Sequence, residues 1–152
     1  MTEVERIEDQ LKRAVEGVAW HGDSLCALLA DVTAECAAAH PLANAHSIWE
    51  TVLHIAAWMD VVSQRLEGKS TETPAEGDWQ RVEDTSEAAW QDTLQALGNK
   101  YTELRKTVSS LESSKLYLPA TDSGISAYFE IHGVIQHTLY HAGQIALLKK
   151  AF

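Results

Sequence analysis

Apolar residues recur at spacings of three and four through most of this chain, and nowhere do they alternate with polar residues for long enough to make a strand. A period near 3.6 gathers such residues on one face of an α-helix, so the chain must bury helix against helix and has no material for a sheet. Four segments follow this rule. The first runs from Thr2 to Ala38, with Val4, Ile7, Leu11 and Val15 followed by Val18, Leu25, Leu28 and Val32. It is predicted to end before His40-Pro41, because the residue preceding a proline is pushed out of the helical region. The second runs from Ser47 to Leu66 and stops at Gly68. Its opening, Ser47-Ile-Trp-Glu50, reads as a capping box. The third starts at Asp84 or Thr85, with Glu87 placed for another box, and ends around Leu111. The fourth occupies Ser126 to Lys150, and its last two lysines suit the negative end of a helix dipole.

The segment from Lys69 to Asp84 has Pro, Gly, two Thr and many charges with no helical period, so it reads as a long connection onto which Trp79 can fold back. A connection of that length can cross the end of a bundle, whereas short loops join antiparallel neighbours. The predicted architecture is therefore an all-α four-helix bundle in up-down-down-up order, a single domain over residues 1–152. That order brings the second and fourth helices side by side. A chain of this size buries about two-thirds of the surface its unfolded form exposes.

The formal net charge is −10, from 22 acidic and 12 basic residues, a balance that repels nucleic acid and anionic lipid. No apolar run reaches the roughly 18 residues of a membrane span, and the charged start MTEVERIEDQLKR lacks a signal-peptide core. The expectation is a cytoplasmic protein with neither nucleic acid nor membrane as partner. Cys26 and Cys36, ten apart in what reads as one helix, would be about 15 Å apart along its axis, beyond disulfide reach. They are read as small core residues.

His137 and His141 stand one helical turn apart in the fourth segment, and His54 lies in the apolar second segment. Imidazoles four apart share a helix face and can reach one ion, and a third from a neighbouring helix leaves open coordination positions, the pattern of catalytic zinc. Imidazole ligation alone does not select the metal, so nickel, iron or manganese are also admissible. Glu50, Glu130 or Gln144, on the same faces, can orient a ligand's second nitrogen or hold a water. Against this, such pairs arise by chance, and a lone histidine on an apolar helix is more often a hydrogen-bonded core residue. His132 falls on a different face, His40 and His46 belong to the loop before the second helix, and His21 can line the same cavity without its spacing requiring it.

The segments SIWETVLHIAAWMDVVSQRLEG and IQHTLYHAGQIALLKKA together resemble the DinB-like family of bacterial four-helix-bundle proteins, also described as damage-inducible or YfiT-like. Both carry that family's pattern, a serine-aliphatic-tryptophan start with a leucine-histidine-isoleucine core and a closing His-x3-His-x-Gly-Gln-Ile. Here the last motif reads His137-x3-His141-Ala-Gly-Gln-Ile. The resemblance implies a divalent ion, commonly nickel or zinc, held by His54, His137 and His141, and frequent homodimers. It also implies kinship with metal-dependent transferases that join low-molecular-weight thiols such as bacillithiol to electrophiles in detoxification or stress response. The alternatives are a metal-dependent hydrolase with Glu50 or Glu130 as base, and a non-catalytic metal- or ligand-binding module.

Overall fold

The computed structural model describes residues 1–152, and they are helical, with no strand and two isolated bridges, Ala19 to Gly22 and Pro119 to Ser126. Six α-helices follow one another: α1 (Glu3–Val15), α2 (Leu25–Leu29), α3 (Ala34–Ala38), α4 (Ile48–Leu66), α5 (Glu87–Ser109) and α6 (Ala127–Leu148). Short 3-10 turns cover Ser113–Lys115 and Lys149–Ala151. The four long helices are α1, α4, α5 and α6. No helix is long and apolar enough to cross a membrane.

The stretch from Thr2 to Ala38 is not one helix. It breaks after Val15, because Gly17 packs where a Cβ would come within 3.0 Å of the Arg13 backbone and Gly22 takes a φ of +129°, which side chains rarely adopt. The residues between these glycines turn outward, so Val18 and Trp20 are exposed and are not core. The chain restarts at α2 and again at α3, where the Thr33 hydroxyl accepts the Cys36 amide. Cys26 and Cys36 therefore sit on different helices as free thiols, and Cys26 is exposed; only Cys36 leans on the core. The start of α5 also differs from expectation. Ser86 is its cap, and the Glu87 carboxylate reaches across to the Ala34 amide at 3.0 Å, tying α5 to the head of α3. The box at Ser47 and Glu50 forms as predicted.

One contiguous core of 30 buried residues joins the long helices, with Leu11, Ile55, Met59, Leu104, Ile131 and Ile145 wholly buried. Burying each such side chain stabilises the fold by about 1.5–3 kcal/mol. Trp90, also fully buried, donates its indole N–H to the Val32 carbonyl at 2.8 Å, so the short helices are pinned to α5 without an unpaired polar atom. Around this core α4 packs on α5 and α6, and α1 packs on the same two. Cross-links give the directions. Trp49 meets Thr93 near the starts of α4 and α5, and Ser63 meets Thr107 near their ends, so these helices run the same way. Arg65, near the end of α4, meets Glu130, near the start of α6, so that pair runs in opposite directions. In α1 and α5, Glu8 pairs with Arg105 while Glu16 accepts from Tyr101, again an opposed pair. The antiparallel contact of α4 and α6 positions the site.

Candidate metal centre

His54 lies midway along α4 and is 5% exposed, while His137 and His141 project one turn apart from the facing side of α6. Because the two helices pack directly, the three rings converge. One nitrogen of each lies within 4.8 Å of the others, a group able to hold a metal ion. The ring centroids are 4.8 Å apart for His54 with His137, 4.8 Å for His54 with His141 and 4.5 Å for His137 with His141.

The hydrogen bonds behind the rings decide where their lone pairs point. His54 donates from Nδ1 to the Asp78 carbonyl at 2.7 Å. A carbonyl can only accept, so in neutral His54 the unprotonated nitrogen is Nε2, on the side facing α6. His141 donates from Nδ1 to the Gln144 side-chain oxygen at 2.6 Å, which frees its Nε2 in the same way. His137 has no such support: its Nδ1 is buried with no partner, and its Nε2 lies 2.9 Å from the Nε2 of His54. Burial first, then the neighbouring imidazoles, lowers the pKa of His137 to about 4, and burial also lowers that of His141. Both are therefore neutral at physiological pH, as ligation demands. A neutral imidazole set with two directed lone pairs and a third ring at contact suits a divalent cation.

Two hollows flank the cluster. One, of about 380 Å³, runs from His54 and His137 past Trp58 and Val134 to Arg65 and Glu130. The other, of about 420 Å³, opens beside His141 and is walled by His46, Trp79, Tyr140 and Leu147. Between them the connection from α4 to α5 folds back over the site, as Trp79 suggested in the sequence. The Trp79 ring stacks on His54 at 3.9 Å and on His46 at 3.6 Å, nearly parallel to both. The Trp58 indole N–H donates to the Asp78 carboxylate at 2.7 Å.

The polar residues flagged beside the histidines separate by role. Gln144 orients His141. Glu130, 7% exposed, orients no imidazole and is paired with Arg65, whose Nη1 donates to both carboxylate oxygens at 3.1 and 3.2 Å. Glu50 closes the α4 cap and meets His40 at 3.1 Å, and it lines neither hollow. His21 does not reach the cluster; it lines a separate hollow between α1 and α6. His132 lies against Tyr128, outside the group. Asp78 had no signal in the sequence, because its connection has no period from which a facing direction can be read.

The family model of the DinB superfamily matches residues 18–145. No curated protein and no solved structure matches the chain.

Proposed function

The chain belongs to the DinB superfamily, and from that premise we propose that it is a divalent-metal protein that activates a low-molecular-weight thiol for transfer to an electrophile. In this reading His54, His137 and His141 are the ligands, nickel or zinc is the ion, and the four long helices form an up-down-down-up bundle. The observation that carries it is the convergence of three imidazoles, two with their Nδ1 atoms tied down as donors, between two hollows large enough for organic groups. When bound, a divalent ion supplies the Lewis acidity that favours a thiolate over a thiol near neutral pH.

The chain's own groups supply the rest. His137 and His141, neutral at physiological pH, offer lone pairs and not protons. Trp58, Val62 and Val134 keep one side of the site apolar, which protects a sulfur nucleophile from solvation. In the reaction the thiol proton leaves to solvent, a sulfur–carbon bond forms, and the carbon's bond to its leaving group or epoxide oxygen breaks. A hydrolase needs a base to work on water, and here the carboxylates on the two helices and their connection are engaged, Glu130 by Arg65, Asp78 by the Trp58 indole and Glu50 by the helix cap. That favours sulfur, whose proton is lost without a strong base, over water.

The test is to load purified, tag-free protein with nickel and titrate it with cysteine as the probe thiol. Charge-transfer absorption that needs both metal and thiol, and that is lost in the His137→Ala/His141→Ala double variant, is the expected outcome. Stoichiometric metal with no thiol signal for cysteine or any larger thiol would replace the transferase reading with that of a non-catalytic metal-binding module.

A further inference from the structure

We propose that Asp78 and Trp79, in the connection between α4 and α5, are positioning residues of the metal centre: a strap that sets the tautomer and ring plane of His54. The proposal rests on the ligand roles proposed above and extends them to residues outside the helices.

The two residues hold His54 from two directions. The Asp78 carbonyl, 2.7 Å from Nδ1, requires the proton on that nitrogen, and the Asp78 carboxylate stands 3.3 Å from the same atom. The Trp79 ring lies flat on the imidazole, 1° from parallel, and so fixes the rotation that aims Nε2 toward α6. His46 covers the other face of Trp79 at 2° from parallel, making a three-ring stack that ends on the ligand. Trp58, one turn after His54 on α4, anchors the strap by donating its indole N–H to the Asp78 carboxylate.

Packing of the core does not account for this arrangement. Trp79 neither belongs to the core cluster nor packs against it, in contrast to Trp49 and Trp90. Asp78 has an exposed side chain, yet its carbonyl and carboxylate both turn to site residues. The connection leaves α4 at Glu67 and must travel back along the bundle to reach Ser86 at the start of the parallel α5, and its middle lies on a metal-ligand candidate. An acceptor behind a ligating imidazole holds the ring in its binding pose, and its loss typically weakens metal binding by about 10–100-fold. Of the three rings, His54 takes its acceptor from the strap, His141 from its own helix, and His137 from nowhere.

The experiment measures nickel affinity by competition with a chromophoric chelator, beside melting of the metal-free protein, for Trp79→Ala, Trp79→Phe, Asp78→Ala, Trp58→Phe and the Asp78→Ala/Trp58→Phe pair. Trp79→Ala is expected to weaken nickel by about 10-fold or more, and Trp79→Phe, which keeps a flat ring, to restore most of it. Asp78→Ala and Trp58→Phe break the same bond, so the pair should cost no more than the worse single change. Melting of the metal-free variants should stay near that of the parent. Unchanged nickel affinity in both Trp79→Ala and Asp78→Ala overturns the proposal, as does a fall in melting temperature with affinity intact, which would make the strap a structural cover. A parent protein that takes up no nickel would instead remove the ligand reading itself, a result distinct from either.

Discussion

The Nε2 atoms of His54 on α4 and His137 on α6 lie 2.9 Å apart. Since the Asp78 carbonyl holds the proton of His54 on Nδ1, this contact is a hydrogen bond only if His137 carries its own proton on Nε2. To offer that Nε2 to an ion, His137 must move its proton to Nδ1, which is buried without an acceptor. The cluster is thus asymmetric, with two rings already set and one that would have to change tautomer to ligate through Nε2.

The ligand roles predict a graded response in elemental analysis. His137→Ala or His141→Ala should abolish stoichiometric metal, since α6 supplies two of the three nitrogens from adjacent turns. His54→Ala should weaken uptake strongly, leaving the α6 pair. His132→Ala, on a ring stacked with Tyr128 outside the group, should leave metal content at the parent value. Retention of a full equivalent by the double variant at positions 137 and 141 would sink the site.

Much of this was legible in the sequence, for identifiable reasons. The face-sharing of His137 and His141 follows from helical period, and the Ser47–Glu50 box is a local pattern read without tertiary knowledge. Apolar spacing carries on through Val18 and Leu25 and so predicts too long a first helix, while the information to stop lies in the backbone needs of Gly17 and Gly22. The contacts of Asp78 with His54 and of Arg65 with Glu130 join residues 24 and 65 apart in sequence, and no local rule pairs them.

The Arg65–Glu130 pair tests how far the wall of the hollow beside His54 and His137 depends on charge. Glu130 is nearly buried and Arg65 also donates to the Thr71 and Glu72 carbonyls, so Arg65→Met strands a carboxylate and frees the start of the connection. Thermal denaturation should show a loss of about 2–3 kcal/mol. Adding Glu130→Gln to Arg65→Met should recover part of it, because the stranded charge is removed. A double variant less stable than Arg65→Met alone would contradict the charge argument.

Protonation of His137 gives the metal-free protein a pH-dependent stability with a definite sign. Its folded pKa is lowered from 6.5 to about 4, so between these values the unfolded chain takes up a proton that the folded chain refuses. Stability should be flat in this respect above pH 6.5, fall as the pH drops toward 4, and level off below. Discounting for the partial exposure of the ring, the loss is about 1–2 kcal/mol. Urea titrations of the metal-free parent and of His137→Asn at intervals across that window check it. The variant should lack this part of the slope, and an identical slope in both would refute the assignment to His137.

Removing the ion should leave the helices standing. None of the three histidines belongs to the 30-residue core, and the long helices are tied by contacts remote from the site, among them Trp90 with Val32 and Arg105 with Glu8. Circular dichroism after exhaustive chelation should therefore show nearly full helical content. Restoring nickel at about 100 times its dissociation constant should add about 2.7 kcal/mol by mass action. For a chain of this size that is a rise of about 5–10 °C in melting temperature. Such a rise on an already folded protein fits an ion held for chemistry at an open site. Collapse of the helical signal on chelation would mean that the metal closes the fold, and the centre would then be structural.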